Sequence, residues 1–383
     1  MNKTPEGRSG LAGFLLSGSG WPYLLVPAIP LAILLDLANA GPVLIFFISA
    51  AGVIPTAALM GRATEELAER AGPGIGGLLN VTFGNAPELI ICLFALEAGL
   101  QEVVKASLIG SILGNILLVL GAAMFIGGLG RERQFFNRAA AGAQSSMLLL
   151  AVVALAMPAI FELVDGQGLP SPSDEIVNFG SDVEYLSLGV AGVLILTYIA
   201  GLIFSLRTHR DLFNPAAAVL EEADDKGRGG PWSVRKSVGA LAIAGAGVGV
   251  MSEILVGSVS AASSSIGLSE FFIGAIVIAI VGNAAEHWVA VAVAAKDKMD
   301  LAVNIAIGSG AQIALFAAPV VVVASFLIGP HPMALVFNGF ELGALLLSVL
   351  IAINITNRGE STWFEGIQLL ACYLVLAVAF FFA

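Results

Sequence analysis

The chain has 383 residues, 58% of them hydrophobic and only 12% charged, with 45 glycines and a formal net charge of −11. Its mean hydropathy is +0.94. A soluble domain carries about a quarter charged residues, so a soluble globular domain and a disordered chain are both excluded, and the acidic balance argues against a nucleic-acid partner. Two cysteines, Cys92 and Cys372, lie in apolar stretches and supply neither a disulfide framework nor a cysteine metal cluster.

Residues 1–20 are polar and small and read as a cytosolic tail rather than a cleavable signal. Eleven apolar stretches follow, at 22–39, 43–68, 72–99, 103–128, 139–163, 185–206, 236–262, 267–295, 300–328, 332–354 and 362–383. Each is close to the length of about 20 residues that a helix needs to cross a hydrocarbon core. The strict apolar/polar alternation of a membrane β-barrel is absent, which leaves helices to satisfy the backbone in lipid. The expected fold is therefore an all-α polytopic membrane protein of about 11 transmembrane helices.

Of the 17 Lys and Arg, all but Lys105 fall on one side of this arrangement. Cytoplasmic loops retain Lys and Arg, so the N-terminus is expected in the cytosol and the C-terminus outside, in a prokaryotic cell membrane. Two longer joints stand out: an acidic outside loop at 164–184, and an inside loop at 207–235 that holds Glu221, Glu222, Asp224 and Asp225. Solvated linker is the plain reading of both, and an acidic regulatory cation site is the sharper reading of the second.

The most specific signal is an internal repeat. Ile75-Gly76 with Gly84-Asn85-Ala86-Pro87-Glu88 returns as Ile273-Gly274 with Gly282-Asn283-Ala284-Ala285-Glu286, and Ile109-Gly110-Ser111 returns as Ile307-Gly308-Ser309. All three blocks share an offset of 198 residues without a gap. The chain thus divides into a tail and first helix (1–42), a first five-helix repeat (43–206), a linker (207–235) and a second five-helix repeat (236–383). Because five is odd, the copies enter the membrane from opposite sides. An inverted repeat is the architecture of secondary transporters, with the binding site at the repeat interface.

Glu88 and Glu286 fall mid-span, where a charged residue costs about 2.5–3.5 kcal/mol. One such residue could be a protonated structural glutamate; a duplicated pair points to a shared role. Two carboxylates with carbonyl and amide oxygens make a hard-oxygen site suited to Ca²⁺, and without the metal protons take its place. Gly84 and Gly282, with Pro87 in the first copy, are placed to interrupt the helix and free carbonyls. Asn85 and Asn283 stand three residues before their glutamates, on the same helix face. Ser111 with Asn115, and Ser309 with Gln312, line one face of the following helix, either to hydrate or coordinate the ion or to tie helices together. Glu253 aligns with Pro55, outside the duplicated set, and reads as a secondary proton or ion-pathway carboxylate or a structural partner. His287 reads as an interhelical histidine or a proton-pathway group.

These residues closely resemble those of the calcium/proton exchanger (CAX) family of the calcium/cation antiporter superfamily. The stretches that carry the resemblance are Asn80 to Ile90, Gly282-Asn283-Ala284-Ala285-Glu286-His287, Lys296 to Leu301 and Gly308 to Phe316. It implies an eleven-helix fold in which Glu88 and Glu286 bind Ca²⁺ and protons, helped by Asn85, Asn283 and backbone carbonyls, with Ser309 and Gln312 close by. It implies exchange of Ca²⁺ for protons by alternating access, Ca²⁺ leaving the cytosol, with no cofactor, no enzymatic chemistry and homo-oligomeric assembly admitted. The competing readings are a Na⁺-coupled Ca²⁺ exchanger, a channel, and an intramembrane acid-dependent enzyme. The enzyme would need non-equivalent acids beside a nucleophile or metal motif.

The orientation predicts that a cysteine at position 172 is labelled from outside intact cells and one at position 220 is not. Labelling of 220 alone would invert the topology.

Overall fold

The computed structural model describes residues 20–172, 174, 179–208 and 232–383. The expected N-terminal tail and the acidic linker segment from Glu221 to Asp225 lie outside the described residues. A 3-10 turn at Trp21–Leu25 leads into α1 (Ala28–Leu37). α2 (Pro42–Gly84) and α3 (Ala86–Glu97) follow. Then come α4 (Gln101–Gly128), α5 (Arg138–Val164), α6 (Ser181–Thr208), α7 (Val234–Ile266), α8 (Glu270–Ala295) and α9 (Met299–Ser325). α10 (Gly339–Thr356) and α11 (Trp363–Phe382) close the chain. Among the described residues the regular structure is helical apart from a short ribbon, β1 (Gln134–Phe135) against β2 (Glu360–Ser361).

Among the described residues nine helices are long and apolar enough to cross a membrane, or ten if the bent pair Leu78–Gly84 and Ala86–Glu97 is one span. The stretch expected as the first span is a shorter apolar run, Trp21–Leu37. The stretches expected at 43–68 and 72–99 join in α2, whose helical pattern runs unbroken from Pro42 to Gly84. Yet Gly76 lies directly against the backbone of Ala68, eight residues earlier, with no room for a Cβ. In a straight helix these residues would stand about 12 Å apart, so the run doubles back between them. Its first limb, Pro42–Ala71, is the spanning part.

The span expected at 332–354 begins later, at Gly339. Residues 332–338 have no regular secondary structure, and Met333 to Phe337 are fully buried. Irregular backbone at membrane depth survives only where protein satisfies its polar groups, and here several helices do so. Ser325 Oγ of α9 accepts from Met333 N at 2.8 Å, and Ser187 Oγ of α6 accepts from Leu335 N at 2.9 Å. Lys105 Nζ of α4 donates to Val336 O at 2.8 Å. Asn338 and Glu341 then form a reciprocal capping box that starts α10. Lys105, the basic residue expected alone on the outer side, is 1% exposed and pairs with Glu102 at 2.6 Å.

α4 and α9 are the most enclosed spans. Each passes through one wide π-type turn, at Gly114–Val119 and Ile313–Ala317. Outward-facing Leu196, Leu374, Val375 and Phe382 form the apolar exterior that hydrocarbon requires.

Removing Lys105 strands the Glu102 carboxylate and a buried carbonyl. Lys105→Met is expected to cost about 3 kcal/mol of stability in detergent unfolding, and Lys296→Met at an exposed position almost nothing. Equal effects would show that the buried ion pair holds nothing in place.

Candidate functional site

The break between α2 and α3 is local chemistry. Asn85 adopts φ −94, ψ 10, and Pro87 stands in the first turn of α3, where its missing N–H and fixed φ suit a helix start. The axis bends by 43°. Glu88 therefore occupies the first turn of a new helix, at the positive end of its macrodipole. The second copy behaves otherwise. Gly282, Asn283 and Glu286 all lie within an unbroken helical run, Ala279–Ala295, preceded by a π-type segment at Ile273–Ile278. The expectation that Gly282 interrupts its helix is corrected: Ala285 stands where the first copy has Pro87, and alanine keeps the N–H that continues the ladder.

The two copies meet crosswise. A Cβ on Gly282 would stand 2.9 Å from Glu88 Cγ, and one on Gly84 would stand 3.4 Å from Glu286 Oε1. Glu88 thus lies in space that only a glycine at 282 leaves, and Glu286 lies beside Gly84 of the other copy. Asn283 Nδ2 donates to Glu88 Oε1 and, at 3.1 Å, to Ser111 Oγ. Asn85 Nδ2 donates to Gln312 Oε1 at 2.7 Å, and Ser309 Oγ donates to Glu286 Oε2 at 2.9 Å. Hence Asn85, Glu88, Ser111, Asn283, Glu286, Ser309 and Gln312 form one cluster at the junction of α2, α3, α4, α8 and α9. Asn115 joins its edge, donating to Ser111 O at 3.0 Å.

Three buried oxygens of this cluster, Asn85 Oδ1, Glu88 Oε2 and Asn115 Oδ1, have no hydrogen-bond partner among the described residues. Oxygens without protein donors at a carboxylate pair are the donor set a hard cation takes. No three His, Cys, Asp or Glu side chains converge among the described residues, so amide and hydroxyl oxygens would have to complete any such shell.

The remaining expected residues divide. His287 points toward Gly114, where a Cβ would stand 3.9 Å from its Cε1, and its Nε2 is buried without a partner. It borders the cluster beside Asn115. Glu253 is exposed on α7 and makes none of the cluster's hydrogen bonds. Glu341 and Glu365, unduplicated in the repeat, cap α10 and α11. Sequence reasoning missed Gln144 on α5, whose amide lies against Gly308: a Cβ there would stand 3.4 Å from Gln144 Nε2. Position 342 is leucine, so the repeat could not mark it.

An enclosed polar cluster built on paired carboxylates in a bundle of membrane-crossing helices defines an ion-handling membrane protein. The profile of the sodium/calcium exchanger protein family matches residues 41–207 and 236–382, and the chain belongs to that family. It is 45% identical over 352 residues to the Ca²⁺/H⁺ antiporter of Synechocystis sp., covering 89% of this chain and 92% of the relative. To the Ca²⁺/H⁺ antiporter ChaA of Bacillus subtilis it is 44% identical over 361 residues, covering 94% and 98%. Among solved structures, native YfkE superposes with a TM-score of 0.78 at 40% identity, covering 94% of this chain and all of that one. These relatives are transporters, not enzymes, and bear out the resemblance to the calcium/proton exchangers.

Asn283 serves a charged acceptor and Asn85 a neutral one. Asn283→Ala is expected to lose about 2 kcal/mol of stability and Asn85→Ala about 1 kcal/mol, read by unfolding in detergent. A larger loss at Asn85 would reverse the assignment of which amide holds its glutamate.

Proposed function

We propose that this chain is a secondary transporter that exchanges Ca²⁺ for protons by alternating access, moving Ca²⁺ out of the cytosol. The observation that carries the reading is the crosswise contact of Glu88 with Gly282 and Asn283, and of Glu286 with Gly84. It places both carboxylates at one interface with unpartnered amide oxygens beside them. Glu88, Glu286, Asn85 and Asn283 are read as the metal ligands, with backbone carbonyls freed at the Asn85 break. Ser111, Asn115, Ser309 and Gln312 line the site. The empty pair carries −2 and is neutralised by one Ca²⁺ or by two protons, so occupancy by one excludes the other. Ca²⁺ and protons are substrates here, and no cofactor enters the scheme.

The Ca²⁺/H⁺ antiporters of Synechocystis and Bacillus subtilis support this reading over Na⁺-coupled exchange. The two halves, 43–206 and 236–383, are read as copies, supported by backbone features that repeat near the same 198-residue offset, and as inverted because the expected number of spans in each is odd. Gly99 and Asp297 both take positive φ, 78° and 65°, and the π-type turns of α4 and α9 start at Gly114 and Ile313. The basic side is assigned to the cytosol, which puts Lys105 and the 332–338 segment at the outer end.

In proteoliposomes with an imposed pH gradient and no Na⁺, the wild type is expected to take up labelled Ca²⁺. Glu88→Gln and Glu286→Gln should each abolish uptake while the protein remains inserted, since glutamine keeps the size of a protonated glutamate without its charge. Glu97→Gln, at an exposed helix end, should leave it unchanged. Near-normal transport by either central variant would remove the two-carboxylate mechanism.

A further inference from the structure

The residues that bound the central cluster on one side form a stripe on α9. Asp300, Asn304, Gly308 and Gln312 recur every four residues, each one turn above the last. The stripe begins at the end of the bundle that carries Arg131, Arg133, Lys296 and Lys298, and it finishes at Gln312, which accepts from Asn85. α5 packs along α9. At the seam's mouth the Asp300 carboxylate accepts from the backbone N–H of Asn137, the N-cap of α5. Gln144 stands six residues into α5, about 9 Å further, with its amide flat against the bare backbone of Gly308.

Two features of this seam are unexplained by packing. Gln144 Oε1 is buried and has no hydrogen-bond partner among the described residues, which ordinarily costs about 1–3 kcal/mol. Asn85 Oδ1, at the other end of the stripe, is in the same condition. A seam used only for packing would carry small apolar residues at these points. Two open amide acceptors, one on Gln144 beside Gly308 and one on Asn85 beside Gln312, four residues further along α9, are instead what ordered water satisfies. Asp300 and Arg138 are the charged groups at its mouth; Glu341, Asp182 and Glu184 on the helices packed against α5 belong to the opposite end of the bundle.

We propose that the α5–α9 seam is a polar route by which water and protons pass between the basic end of the bundle and the carboxylate pair, with Gln144 as its positioning residue. It rests on the exchange reading of that pair. Asn304, Gln144 and Gln312 hold successive waters, and Asn85 delivers the file to Glu88 and Glu286. Gly308 leaves the Gln144 amide room beside α9, where a Cβ would stand 3.4 Å from Nε2.

The test is Ca²⁺/proton exchange in proteoliposomes by wild type, Gln144→Leu and Gln144→Asn, together with equilibrium binding of labelled Ca²⁺ at fixed pH. Gln144→Leu is expected to lower kcat about fivefold or more with KM for Ca²⁺ and equilibrium binding unchanged, and to raise the solvent deuterium isotope effect. Gln144→Asn, which keeps the amide, should recover most of the rate. An unchanged kcat and isotope effect overturns the proposal, as does a loss of kcat matched by loss of Ca²⁺ binding. Failure of the wild type to exchange at all would instead overturn the reading of the central pair. If Gln144→Leu does not insert, Asn304→Cys in a chain with Cys92 and Cys372 replaced by Ala carries the test. Modification by a small hydrophilic thiol reagent from the basic side supports the route, and an unreactive cysteine overturns it.

Discussion

Two carboxylates held inside hydrocarbon are the constraint from which the rest of this molecule follows. Each costs several kcal/mol to place there, and the cost is tolerable only where the protein supplies hydrogen bonds, dipoles and an exchangeable counter-charge. Glu88 has both a hydrogen bond, from Asn283, and the dipole at the start of α3, whereas Glu286, within a continuous helix, has a hydrogen bond from Ser309. Neither arrangement neutralises the charge. What remains is a demand for a cation or for protons, which is the physical content of exchange.

The glycines serve that constraint rather than helix packing in general. At Gly282 a methyl group would press on Glu88 Cγ at 2.9 Å, closer than real side-chain carbons approach. Helix-to-helix closeness elsewhere has a different purpose. A Cβ on Gly110 of α4 would collide with the carbonyl of Ala275, and one on Gly274 would stand 2.9 Å from Val103 O, so α4 and α8 approach along their backbones next to the cluster. A rigid pair of helices keeps Ser111 within reach of Asn283. The irregular 332–338 segment is held differently, since side chains from three helices bond its backbone groups.

Much of the site was legible because duplication is legible. A single mid-span glutamate has an ordinary structural explanation, and two at one offset, each with the same Gly-Asn before it, do not. The same logic set the limit: it found residues that come in pairs and passed over those that do not. Gln144 faces Gly308 from a helix whose counterpart position is Leu342, and Lys105 aligns with Val303. Hydropathy found the apolar stretches but not their ends. It placed residues 332–338 in a helix because Met333 to Phe337 are apolar, whereas their backbone is irregular and bonded by side chains distant in sequence. The joint expected between 43–68 and 72–99 is where the chain doubles back, although the helical pattern itself continues to Gly84.

The most informative departure from symmetry is the single proline. With Pro87 the first copy breaks at Asn85, and Asn85 turns from its own glutamate to Gln312 of the other half. With Ala285 the second copy continues through Glu286, and Asn283 stays on the helix face that reaches Glu88. Equivalent residues therefore do unlike work: one asparagine holds a carboxylate, and the other ties the break to α9. The two carboxylates are therefore held by unlike backbones: Glu286 stands within a continuous helix, whereas Glu88 opens a new one after a 43° break at Asn85. The duplication that made the pair legible in the sequence does not make its two members equivalent in the structure, and one residue, proline against alanine, accounts for the difference.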